Sequence, residues 1–223
     1  KIDVRNTVKR IYRKVSLKVD DPATDLVILA GGQARRMNGM NKLLQQFDDQ
    51  IQLSKICQKF QADVQQIWVN SHRDSSIYKR IEPHVQCYAD EQNGFLGPLM
   101  GMQSAWQHVQ ADYVLFVPCD VTYIPNQLLD KLHKSLQKNP QAQVAYVSMN
   151  GDALYPFCLL KRSSLPILQQ QIQANKLSLR DCFKQLHAQS SVFQKQSLFC
   201  HSINSLDELQ QYQQMKAFRQ MFI

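Results

Sequence analysis

One stretch of this 223-residue chain gathers glycines and cations immediately behind an apolar run: Leu29-Ala-Gly-Gly-Gln-Ala-Arg-Arg-Met-Asn-Gly-Met-Asn-Lys42. Glycines let backbone N–H groups come close to phosphate oxygens, and Arg36 with Lys42 brings the positive charge that would neutralise a triphosphate. The stretch is not the dinucleotide fingerprint G-x-G-x-x-G. Nor is it the form G-x-x-x-x-G-K-[ST], because Lys42 is followed by Leu43. A plain strand-to-helix turn with surface charges is the alternative. A second stretch, Val114-Leu-Phe-Val-Pro-Cys-Asp120, carries one carboxylate at the end of a run that reads as a buried strand. In open parallel sheets the ligand crevice lies outside those strand ends. Asp120 there is placed to hold Mg²⁺, which commonly takes one or two protein carboxylates and completes its octahedron with phosphates and water. The alternative is a loop-capping Asp.

Elements that could position these residues follow from the hydrophobic pattern. Short apolar runs at 26–30, 67–69, 85–88, 113–117 and 144–147 alternate with amphipathic stretches near 50–61, 98–109 and 125–138. That alternation is the mark of βαβ units and a mainly parallel sheet, hence an α/β domain. Pro125 fits the first turn of its helix, where a missing N–H has no partner to lose. Beyond Met149 the order is less regular. Short strands are expected near 157–160 and 198–201, with helices near 164–174 and 178–187. Ser205-Leu-Asp-Glu208 is a capping-box pattern opening a last helix that runs to about Gln220.

Taken together, the two chemical stretches resemble the molybdenum cofactor guanylyltransferase family, known as MobA. The family pattern of L-A-G-G, R-M, G and K is matched by Leu29 to Gly32, Arg36-Met37, Gly39 and Lys42. Further matches follow in order: Val69-Asn70, Asp90, Gly97-Pro98-Leu99 with Gly101, Pro118-Cys119-Asp120, Tyr123-Ile124-Pro125, and Asn204 ahead of the capped helix. The likeness spans Leu26 to about Tyr212. It implies a Rossmann-like nucleotidyltransferase fold, a three-layer αβα sandwich. The activity it implies is transfer of GMP from GTP to molybdopterin, with or without its molybdenum (the molybdenum cofactor), with release of pyrophosphate to form the molybdopterin guanine dinucleotide cofactor. A CTP-dependent or sugar- or polyol-phosphate nucleotidyltransferase is the near alternative, and a non-catalytic nucleotide or cofactor carrier the more distant one.

The resemblance makes Leu29, Ala30, Gly31, Lys42, Asn70, Asp90 and Asp120 nucleotide-binding positions, with Asp120 also the Mg²⁺ ligand. Arg36, Gly39 and Asn204 would face the pterin substrate or the transferring phosphate, and Arg36, Lys42 and Asp120 would serve catalysis. Each position also has a local reading. Asn70 and Asp90 stand where a turn or loop begins, and Asn204 can simply belong to the entry of the last helix. Departures from the family pattern fall close to the chemistry. Asn38 and Asn41 replace a glycine and a carboxylate in Gly-Gly-x-Asp-Lys, Ser202 replaces the first Asn of an Asn-x-Asn pair, and Tyr155-Pro156 stands where His-Pro is frequent. Loss of the carboxylate at 41 predicts a less firmly oriented Lys42.

Composition limits the remaining classes. With 44% hydrophobic and 20% charged residues the chain is ordinarily globular, and its length suits one large domain, placed at 23–223 behind a basic leader at 1–22. The net charge is +8, yet residues 1–19 hold seven cations against Asp3 alone. Nucleic-acid binding by the main domain is therefore not expected. The leader fits a docked or fused segment, a membrane-surface helix or a transit peptide. No apolar run is long enough to cross a bilayer, so no membrane span is expected. A cytoplasmic location and a monomer are expected, with cofactor-synthesis and molybdoenzyme maturation proteins as further partners. The six cysteines form no C-x-x-C pair and no zinc-site spacing, and read as reduced core thiols.

Overall fold

The computed structural model describes residues 22–32, 39–47, 49–92, 94, 96–194 and 202–220. Residues 1–21 of the basic leader, Arg36, Met37, Asn38 and the strand expected at 198–201 lie outside the described residues. The elements in chain order are β1 (Thr24–Leu29), α1 (Gln52–Phe60), β2 (Ile67–Asn70), α2 (Ser75–Ile81), β3 (Gln86–Tyr88), α3 (Pro98–Ala105) and β4 (Tyr113–Pro118). They continue with α4 (Leu128–Lys138), β5 (Val144–Met149), β6 (Asp152–Lys161), α5 (Leu165–Gln173), α6 (Leu179–Gln185), β7 (Gln189–Phe193) and α7 (Leu206–Gln220).

The strands form one sheet in the order β3-β2-β1-β4-β6-β5-β7. Pairing is parallel except where β6 lies antiparallel to both β4 and β5. Side chains alternate across a strand, so β1, buried along its whole length, feeds two cores at once. Leu26 and Ile28 join Leu53, Ile56 and Phe60 of α1, Tyr78 of α2 and Leu132 of α4 on one face. Val27 and Leu29 join Leu99 and Met102 of α3, Leu168 of α5 and Phe183 of α6 on the other. The result is the expected three-layer αβα sandwich. A small satellite core of Phe47, Ile203, Leu209 and Tyr212, with Met40 and Leu206 against it, ties α7 to the chain around Lys42.

Several local expectations are corrected. α2 has no counterpart in the apolar pattern, because only Tyr78 of its seven residues is buried. Pro125 lies outside the first turn of α4, which begins at Leu128 after Gln127 takes a left-handed φ of 55°. Strand β6 starts at Asp152, well ahead of the expected 157, and β7 occupies 189–193, a polar stretch with only Ser191 and Phe193 buried. Pro98, by contrast, takes the first helical position of α3, preceded by Gly97 at a φ of 76°. Among the described residues no helix is long and apolar enough to cross a membrane.

Candidate active site

From β1 the chain steps outward to β2 and β3, then returns to place β4 on the other side of β1. The point where the order reverses leaves a crevice at the C-terminal ends of β1 and β4. The segment 30–32 leaves one of those ends and Cys119-Asp120 leaves the other. An irregularity in β6 contributes to the wall of this crevice. Tyr146 of β5 pairs with Cys158 and Val147 with Leu154, so the intervening residues bulge out of the ladder. Pro156, which has no N–H to donate to a ladder, sits in that bulge and reaches the crevice wall. The cleft encloses about 440 Å³. Leu29, Ala30, Gly31, Lys42, Asn70, Asp90 and Asp120 all line it.

One part of the cleft is a close-fitted polar nest. Asn70 ends β2 and is 3% exposed, and its Nδ2 donates to Asp90 Oδ1 at 2.8 Å. The other oxygen of Asp90 lies 3.1 Å from His72 Nε2. Two glycines make room for the Asn70 amide. A Cβ on Gly31 would stand 3.1 Å from Asn70 Oδ1, and one on Gly101, inside α3, only 2.4 Å from it. The carbonyl of Gly101 meanwhile accepts from the buried Tyr88 hydroxyl at 2.8 Å, which pins α3 to the end of β3. Asn70 is thus held by neighbours on several sides.

The other part is looser. Asn41 caps a short 3₁₀ turn, Lys42–Leu44, by accepting from the Leu43 N–H. Lys42 Nζ then donates to Asp120 Oδ2 and to Asn204 Oδ1, both at 3.3 Å, with Lys42 and Asp120 side chains 15% and 21% exposed. Asn204 is steadied in turn, its Nδ2 donating to Ser202 Oγ at 3.1 Å. The capping box is present in a shifted form. Ser205 Oγ accepts from the Glu208 N–H, but the Glu208 carboxylate reaches the N–H of Asn204, one residue further back. Asn204 therefore belongs to the helix entry and also contacts the lysine, although it is not itself among the residues that line the cleft.

The departure at Asn41 has a physical account. Its Nδ2 donates to Asp74 Oδ2 and to the Tyr78 hydroxyl, each at 2.6 Å. A carboxylate at 41 would face Asp74 at that distance, whereas the amide spans the gap and holds the turn carrying Lys42. The expected loosening of Lys42 therefore has a counterweight from α2. Gly39, with a φ of 77°, gives its carbonyl to Arg73 Nη1 at 2.7 Å and does not itself line the cleft. Arg73 does line it and adds a cation that sequence reasoning missed, as it also missed His72. Both residues follow the C-terminal end of β2, and that placement is the signal by which they could have been found. Burial, with the Asp120 charge beside it, pushes the Cys119 thiol up to about 12, so it remains a neutral wall of the cleft. The five described cysteines are all free.

This geometry can be set beside known proteins. The model of the MobA-like NTP transferase domain matches residues 26–190, which runs from within β1 to the start of β7. The chain belongs to the MobA-like NTP transferase family. The molybdenum cofactor guanylyltransferase of Acinetobacter baumannii is 70% identical over 201 residues, covering 90% of this chain and 96% of that protein. The enzyme of the same name from Pasteurella multocida is 36% identical over 185 residues, covering 82% and 96%. In three dimensions this MobA-like chain is similar to the molybdopterin-guanine dinucleotide biosynthesis protein A of Archaeoglobus fulgidus. The TM-score is 0.64 at 16% identity, over 87% of this chain and 99% of that one.

Proposed function

We propose that this MobA-like chain is a molybdenum cofactor guanylyltransferase, which transfers GMP from GTP to the terminal phosphate of molybdopterin and releases pyrophosphate. The observation that carries the proposal is the division of one cleft between a buried amide–carboxylate pair, Asn70 with Asp90, and a half-buried cation–carboxylate pair, Lys42 with Asp120. The first suits a base with N–H donors. A carboxylate already fixed by Asn70 and His72 accepts from guanine, whereas cytosine offers a different pattern of donors and acceptors. The second suits phosphates. An ammonium has three donors, of which Asp120 and Asn204 engage two, leaving one for a phosphate oxygen.

In the proposed reaction an oxygen of the acceptor phosphate attacks the α-phosphorus in line. The bond from that phosphorus to the bridging β-phosphate oxygen breaks, and its electron pair leaves with pyrophosphate. A phosphate monoester is already ionised at neutral pH, so no general base is required, and positioning with charge neutralisation supplies the acceleration. Lys42 neutralises the phosphate chain. Arg36, outside the described residues, is proposed to do the same. The donor set suits Mg²⁺: Asp120 presents a single carboxylate to the cleft, and among the described residues no three His, Cys, Asp or Glu side chains cluster as a protein-only cage. Held by Asp120, Mg²⁺ would spread the charge that builds on the phosphate oxygens.

The test is pyrophosphate release in the presence of molybdopterin and Mg²⁺, with GTP and CTP compared. Release with GTP that far exceeds release with CTP and disappears in Asp120→Ala supports the proposal. Equal release with CTP, or full activity without Asp120, would overturn it.

A further inference from the structure

The first residue of α1, Gln52, is fully buried, and its side chain leaves the helix to meet the loop that presents Asp120. Its Nε2 donates to the carbonyl of Cys119 at 3.2 Å and to that of Val121 at 2.7 Å. The two carbonyls flank Asp120 on either side. Because both partners are acceptors, only the NH₂ end of the amide can face them, so the orientation of the side chain is fixed by chemistry. Its Oε1 accepts no hydrogen bond from any described residue, an unfavourable arrangement for a buried amide. The backbone N–H of Gln52 anchors the other side of the clamp by donating to the Gln45 carbonyl at 2.9 Å, at the end of the turn that carries Lys42.

Two further backbone groups of the loop are also engaged. The Cys119 N–H donates to the Leu29 carbonyl at 3.1 Å, and the Asp120 carbonyl accepts from the Ile203 N–H at 3.0 Å. Asp120 therefore hangs from a backbone held on one side by Gln52 and on the other by the segment leading into α7. Nothing in the packing of α1 requires an amide at position 52, whose neighbours Leu53 and Ile56 are apolar core.

We propose that Gln52 is a positioning residue for the transfer reaction, setting the Asp120 carboxylate in the attitude that receives the metal–nucleotide complex. The inference rests on the function proposed above. Its loss would weaken metal capture and slow the chemical step while leaving recognition of the nucleotide base intact.

The experiment compares wild type, Gln52→Met and Asp120→Asn in three measurements: GTP affinity without divalent metal, Mn²⁺ affinity of the protein–GTP complex by electron paramagnetic resonance, and kcat. For Gln52→Met we expect metal-free GTP affinity within about twofold of wild type, with Mn²⁺ affinity and kcat each lowered about tenfold. Gln52→Asn keeps the amide on a side chain one methylene too short to span both carbonyls, and loses Mn²⁺ affinity in the same sense should Gln52→Met fail to fold. A folded Gln52 variant with wild-type Mn²⁺ affinity and kcat, alongside a defective Asp120→Asn, overturns the clamp alone. A wild type that captures no Mn²⁺ with GTP, or an Asp120→Asn protein that captures it normally, overturns the functional reading and the clamp with it.

Discussion

The two halves of the cleft are built on different terms. Around Asn70 and Asp90 the polar atoms are buried and already partnered: Asp90 receives one contact on each oxygen, and Gly31 and Gly101 leave the Asn70 amide no room to swing. Around Lys42, Asp120 and Asn204 the side chains keep some exposure and meet at 3.3 Å, near the outer edge of hydrogen bonding. A preformed nest suits a ligand part that arrives with a fixed shape and fixed donors. A looser, partly solvated set suits charges that are redistributed as bonds change. The contrast teaches where a substitution should act on binding and where it should act on turnover.

The sharpest way to break this contrast is at Asp120. Asp120→Asn keeps the shape and removes the charge, so kcat should fall on the order of 10³-fold, by analogy with loss of one electrostatic transition-state contact. Metal-free GTP affinity should change little, as equilibrium dialysis would show. The opposite pattern belongs to Asp90→Asn, which replaces an acceptor oxygen with a donor. Its expected effect is a rise of about 10²-fold in the KM for GTP, the size of one or two lost hydrogen bonds to a charged group, with kcat nearly unchanged in steady-state assays.

Gly101→Ala probes the rigidity of the nest without removing a polar group. The added methyl would sit 2.4 Å from Asn70 Oδ1 and 3.2 Å from Leu29 Cδ2, so α3 or Asn70 must shift. Overpacking of this kind costs about 1–3 kcal/mol, read as a melting temperature lower by roughly 2–10 °C. A rise in the KM for GTP should accompany it.

The smallest effect is expected at the turn that carries Lys42. Asn41→Asp would set a carboxylate against Asp74 in place of a 2.6 Å hydrogen bond. The like charges raise the folded-state pKa of the pair above its unfolded value, so the penalty, about 1 kcal/mol, is absent at low pH and grows as pH rises through the folded pKa. Urea denaturation at two pH values would show it, and Asp74→Asn in the same protein should remove it. Unequal stability at low pH would contradict this account of Asn41.

Much of this arrangement was legible in the residues themselves. The apolar run before Gly31 and the run ending at Asp120 mark strands whose C-terminal ends share one edge of a parallel sheet, and the structure makes the two strands neighbours and brings both ends to one cleft. What escaped has physical causes. A seven-residue helix with one buried side chain, α2, leaves no periodic stripe to read, so the contact of Asn41 with Asp74 and Tyr78 was invisible. The polar alternation of β7 resembles a solvated segment. Gln52 reads as an ordinary surface glutamine at a helix start, because burial of an amide by a distant loop is a tertiary fact with no local signature. The early start of β6 was hidden in a similar way, because Pro156 has no N–H for a ladder and is accommodated within the strand by a bulge.

The division of labour in the cleft is tested most directly by measuring GTP and CTP in parallel, both affinity and turnover, for wild type, Asp90→Asn and Asp120→Asn. The account predicts that Asp90→Asn collapses the preference for GTP while Asp120→Asn keeps it in binding and loses turnover. An Asp90→Asn enzyme that still discriminates as wild type does, or an Asp120→Asn enzyme that turns over normally, would contradict it.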